Sequence, residues 1–150
     1  MLRHFKIITI SIAFLLVQSV SFCNDSFFKD ALKFYENEKY DDARFLFERN
    51  IVFNPKDANS YLYLAKIYNH EEDQRKEENN LETALLIEPN NEEALLMMIK
   101  ISVEKSNYDK VKSLSETFSI VCKKLCDENK NIKESLKNID PKNESWSKSR

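Results

Sequence analysis

Cys122 and Cys126 stand one helical turn apart, and with Cys23 they are the only cysteines in this 150-residue chain. Within an unbroken helix the pair is awkwardly placed for a disulfide, which requires particular Cβ directions as well as a short distance. There the two would remain packed or free thiols. If the helix breaks near Lys123-Lys124, pairing becomes easy, and an oxidising compartment favours it. A metal site would need further nitrogen or sulfur ligands, and His70 is the only histidine after His4. His70 lies beside Glu71, Glu72, Asp73, Glu77 and Glu78. The order of these acids does not match a calcium loop, so a solvated turn is expected. No nucleophile has a matching base, and a chain without a single glycine has no phosphate-cradling loop. The expectation is therefore no enzyme, no cofactor, no metal and no small-molecule substrate.

The first residues have the layout of a secretory signal. Arg3, His4 and Lys6 form a basic head before an apolar run from Ile7 to Val17, and Ser19 and Ser21 supply a small-x-small cleavage pattern. The run, about 11 to 14 residues, falls short of the ~20 that span a bilayer. Residues 1–21 are thus expected to be a cleaved signal peptide, placing the chain in the periplasm or outside the cell. The alternative is a membrane-tethered assembly factor of an envelope complex, held by an uncleaved anchor or by a lipid on Cys23. Phe22 fits a lipidation site poorly. Membrane contact is expected only if this segment is retained. The formal net charge of −2 gives no electrostatic case for nucleic acid.

The elements that position these residues repeat. Pro55 and Pro89 are 34 residues apart, each closing a similar stretch, and the same stride pairs Ala31 with Ala65 and Tyr40 with Tyr108. A fixed period of this length marks stacked supersecondary units. In the first unit, Phe27, Ala31, Phe34 and Tyr35 mark one face of a helix from about Asp25 to Asn37. Ala43, Phe47, Ile51 and Phe53 line a second helix, with Asp41 as its expected N-cap and Asn54-Pro55 as its stop.

The chain resembles the tetratricopeptide repeat (TPR) family, on Ala31, Phe34, Tyr40, Ala43, Phe47 and Pro55 in one unit and Leu64, Ala65, Tyr68, Ala84, Leu85 and Pro89 in the next. The resemblance covers residues 25–122 and implies an all-α solenoid of about three helix-turn-helix repeats, at about 25–57, 58–91 and 92–122. Glu77 stands where a small residue is usual and Gln74 where Tyr40 and Tyr108 stand in the other units, so the second helix of unit two is expected to start late or fray; Asn50 also replaces a small residue in unit one. The third unit has Lys123 in place of the closing proline. Leu125, Ile132, Leu136 and Ile139 then predict a capping helix over 123–139. Residues 140–150, Ser/Lys-rich with Trp146 as the lone apolar side chain after Pro141, are expected to be disordered.

The resemblance also implies function. In such arrays the first helices of successive repeats line a concave groove that receives a peptide or a partner protein. Carried over residue by residue, the groove comprises Phe28, Leu32 and Tyr35, then Asn59, Leu62, Lys66 and Asn69, then Leu96, Lys100 and Val103. Some family members grip the C-terminal carboxylate of a chaperone tail through Lys, Arg and Asn. The matching positions here are Phe28, Leu32, Tyr63, Glu93 and Met97, which supply no such clamp. The expected partner is a protein or peptide of another kind.

Overall fold

The computed structural model describes residues 24–128, 130–132 and 134. They contain six helices with printed bounds: α1 (Asn24–Glu36), α2 (Tyr40–Phe53), α3 (Ala58–His70), α4 (Gln74–Ile87), α5 (Glu92–Glu104) and α6 (Tyr108–Val121). No strand occurs among the described residues. The helices pack as consecutive hairpins, α1 on α2, α3 on α4 and α5 on α6, and α4 also meets α5. The architecture is an all-α solenoid of three TPR-like hairpins followed by a C-terminal helical stretch. It divides into two compact units, one ending at Pro55 and one beginning at Lys56.

The stride seen in the prolines governs the backbone. α1, α3 and α5 begin 34 residues apart, and so do α2, α4 and α6. The turns within the hairpins repeat atom for atom. Glu38, Glu72 and Ser106 each adopt a left-handed conformation, with φ of 59°, 60° and 54°. The next residue's N–H then reaches back five positions: Lys39 to Phe34 O, Asp73 to Tyr68 O and Asn107 to Ser102 O. This closure satisfies carbonyls that a helix end leaves orphaned, and glycine normally occupies its left-handed position. Here three side chains bear the strain of that conformation instead.

The residue that closes one helix also opens the next. Asp73 and Asn107 accept the N–H of Lys76 and Lys110 on their side chains, whereas Lys39, at the same position of the first hairpin, makes no side-chain cap. Two expectations are corrected by this geometry. Asp41 is not the N-cap of α2; it lies in the first turn and pairs with Arg44 at 2.6 Å. Nor does α4 start late, because Asp73 caps it in register at Gln74.

In the first unit, Ala31, Ala43 and Phe47 are buried. Phe28 packs edge-on to Phe47 at 5.6 Å, and Phe27 stacks on Phe53 at 5.7 Å. In the second unit, one apolar cluster joins Leu62, Ala65, Leu81, Ala84, Ala94, Met98 and Ile101. Another joins Leu95, Ile99, Val111 and Phe118. The third hairpin exchanges a volume between two positions: Ser115 stands one stride after Leu81, and Phe118 one stride after Ala84, all four being buried. The large side chain has moved one helical turn along α6, and interior packing density rewards that compensation.

Without a closing proline, α6 still ends one stride after α4. Cys122 turns extended, with ψ of 139°, and is disulfide-bonded to Cys126 with the Cα atoms 5.3 Å apart. The loop between them is pinned by Glu92, whose Oε2 accepts the N–H groups of both Lys124 and Leu125 at 3.0 Å. Leu125 and Ile132 pack onto the cluster of the third hairpin. Residues 128, 130–132 and 134 are helical. Leu136, Ile139 and Trp146, like the expected signal segment 1–21 and Cys23, lie outside the described residues.

Candidate partner-binding groove

Polar contacts tie α3, α4 and α5 together, one of them directly between α3 and α5, the first helices of the second and third hairpins. Lys66 pairs with Glu93 at 2.8 Å and lies 4.4 Å over the ring of Tyr63. Further along, Asn69 donates to Glu77 Oε1 at 3.0 Å, and Gln74 donates to Glu104 at 2.9 Å. Glu77 is only 4% exposed. Burial raises its carboxyl above the usual carboxylate range, against the opposing hydrogen bond from Asn69. Behind this row, Glu78 on α4 accepts from Lys105 and Lys110, and Lys110 also reaches Glu82 at 3.2 Å. Those two bonds hold Glu78 below its ordinary value, that from Lys105 most strongly.

The expected groove residues divide by environment. On α5, Leu96, Lys100 and Val103 line one cavity of about 510 Å³ together with Met97, Ile99, Glu104, Glu128, Asn131 and Ile132. Its walls are therefore the exposed face of α5 and the C-terminal helical stretch. Lys100 projects into solvent there with no ion pair among the described residues. On α3, Asn59 and Asn69 are exposed and Lys66 is half-buried. Leu62, expected on the groove surface, is 4% exposed and belongs to the apolar core cluster with Leu81 and Met98. Phe28, Leu32 and Tyr35 lie half-buried in the first unit, where Tyr35 packs edge-on to Tyr40 at 5.6 Å.

Glu128 and Asn131 were not singled out by the groove pattern, since they come from beyond the repeats. Ile132 was visible only as part of the capping stripe. A second feature carries the stride without having been anticipated. Val52, Leu86 and Ile120, the penultimate residues of α2, α4 and α6, are 75%, 82% and 83% exposed.

No group of three His, Cys, Asp or Glu side chains among the described residues could hold a metal ion. No described helix is long and apolar enough to cross a membrane.

No protein-family model and no curated protein matches the sequence. Solved structures do match the fold. The first TPR of Spaghetti (RPAP3), bound to the HSP90 peptide SRMEEVD, is 14% identical with a TM-score of 0.62, over 73% of this chain and 92% of that one. The Sgt2 TPR domain from Aspergillus fumigatus is 13% identical with a TM-score of 0.64, over 77% and 80%. The Arabidopsis OM64 TPR domain is 16% identical with a TM-score of 0.62, over 74% and 94%. At such identities the likeness establishes the fold, and the chain is an all-α repeat protein with a TPR-like fold.

Proposed function

We propose that this protein is an interaction module that binds a peptide or a segment of a partner protein along the exposed faces of its first helices. The observation that carries the reading is the cavity of about 510 Å³ on α5, where Leu96, Lys100 and Val103 stand together. Clefts of roughly 300–1,000 Å³ with apolar walls and a few polar groups are the usual form of a ligand site. Asn59, Lys66 and Asn69 extend the surface on α3; in the first unit, taken by itself, Phe28, Leu32 and Tyr35 are the proposed contact residues.

The ligand differs from the acidic peptide bound by the Spaghetti domain. Lys66 is already engaged by Glu93, and Glu104 and Glu128 bring carboxylates to the α5 cavity. Location in the periplasm or the secretory space rests on the basic head, apolar run and serines of residues 1–21.

Partner capture from an envelope extract tests the groove, with the wild type compared with Val103→Glu. Capture lost while helicity is retained is the expected result; undiminished capture would place the site elsewhere. Fractionation and the mass of the mature N-terminus test the location. A chain beginning near Phe22 in the soluble fraction is expected, and a retained or lipidated N-terminus would favour the tethered alternative.

A further inference from the structure

Between Val121 and Pro141 the sequence holds no glycine and no proline, and Lys123, Lys124 and Leu125 are good helix formers. α6 nevertheless ends at Val121, where Cys122 turns extended and is bonded to Cys126. A continuing helix would send the N–H groups of Lys124 and Leu125 to the carbonyls of Ile120 and Val121, four positions back. Here both go to Glu92 instead. Two cysteines four apart are awkward to bridge within a regular helix, so the disulfide and a longer α6 exclude each other.

The two cysteines differ in access. Cys122 is half-buried and packs against the cluster of Leu95, Ile99, Val111 and Phe118, whereas Cys126 is exposed. Exposed disulfides are the labile, regulatory class. The cavity wall follows directly in the chain: Leu125 and Ile132 rest on that cluster, and Glu128, Asn131 and Ile132 line the cavity with Leu96, Lys100 and Val103.

We propose that the Cys122–Cys126 bridge is a site of reversible thiol–disulfide exchange whose redox state sets the position of the cavity wall. An external thiolate, from a small thiol or a dithiol reductant, attacks Sγ of Cys126. The bond to Cys122 breaks, and its electron pair leaves on Sγ of Cys122, which takes a proton from water. A second external thiolate attacks the external sulfur of the mixed disulfide and frees Cys126. Two electrons have then passed to the protein, and the two external thiols have become one disulfide. A disulfide of the same class reverses the steps. In the reduced chain Cys122 turns helical, α6 runs on, Glu92 loses both amides, and Leu125 and Ile132 leave the cluster. The wall goes with them, and in this consequence the inference rests on the reading of α5 as part of a binding groove.

The whole chain carrying Cys23→Ser, so that only this pair responds, tests each part. Brief exposure of the native protein to reduced glutathione, followed by acid quenching and peptide mass mapping, is expected to find the adduct on Cys126. An adduct on Cys122, or reduction only after unfolding, would overturn the exchange site. After reduction by dithiothreitol, helicity is expected to rise by about one turn. The Cα resonances of Lys123 and Lys124 should move to helical positions, and the contacts of Ile132 with the cluster should vanish. Unchanged resonances would overturn the switch. Lys123→Pro places a proline one stride after Pro89 and disfavours helix at Cys122, so this variant should keep its wall under reduction. A wall that still moves in it would refute a longer α6 as the cause. None of these readings needs a partner. If they respond while capture ignores Val103→Glu, the groove reading falls and the switch stands. If Val103→Glu abolishes capture and reduction alters no resonance, the switch falls and the groove stands.

Discussion

Glu92 holds Leu125 across 33 positions of sequence: a carboxylate oxygen at the start of α5 accepts the Leu125 N–H at 3.0 Å. The same oxygen accepts the N–H of Lys124, the contact that does most to keep Glu92 below the ordinary carboxylate range. The beginning of the third hairpin thereby fixes the loop that ends it.

Glu92→Gln is expected to quicken amide exchange at Lys124 and Leu125 several-fold while leaving exchange within α3 and α4 unchanged. Because the folded pKa is lowered, the contribution of this carboxylate is complete above its unfolded value and is lost as pH falls through the folded one. In the wild type the same two amides should loosen on acidification. Exchange that ignores both the substitution and acid pH would show that the disulfide alone holds the loop.

Lys39→Asn supplies the side-chain acceptor that Asp73 and Asn107 already provide one and two strides later. Installing a good N-cap should stabilise α2 by about 1 kcal/mol. Thermal unfolding checks this, and an unchanged or lowered midpoint would mean that the turn at Glu38 cannot orient the new side chain.

Ser106→Gly relieves a side chain held at φ of 54°. The left-handed penalty exceeds the added chain entropy of glycine, for a net gain of roughly 0.5–1 kcal/mol. The same replacement at Ser113, inside α6, is expected to destabilise. Opposite signs for the two variants in urea unfolding are the result to look for.

Glu77→Gln should stabilise the protein at neutral pH. The buried carboxyl keeps its proton to higher pH in the folded chain than in the unfolded one. Between those two values the folded state binds more protons, so its stability falls as pH rises through that window. Glutamine retains the acceptor for Asn69 and carries no charge to bury. Urea midpoints across a pH series test this, and an identical pH slope in the variant would assign the effect to another carboxylate.

The hairpins were legible because their punctuation is local. Asn54-Pro55 and Glu88-Pro89 stop helices by sterics that need no neighbour, and Ala31, Ala43 and Ala84 mark close approaches. The capping of α2 was not legible. A left-handed Glu38 shifts the N-cap to Lys39, and no composition rule expects glutamate in that conformation. Glu77 was visible as an anomaly, yet its consequence was misjudged, since Asp73 caps α4 regardless of what lies buried a turn later. Among the expected groove residues, Leu62 and Leu96 look alike in sequence. They differ in what the next hairpin lays over them: Leu62 is covered by Ala94 and Met98, while Leu96 remains on the wall of a cavity. Burial of that kind is decided between repeats and leaves no mark within one.

A proline stop is present as soon as the chain is made, but a disulfide stop must be written by an oxidant. Pro55 and Pro89 bound the first two hairpins permanently. The third is bounded by Cys122 and Cys126, so its end is completed in a separate chemical event whose timing is set by the surroundings. The final boundary of the array thus records the redox history of the molecule, which the first two cannot do.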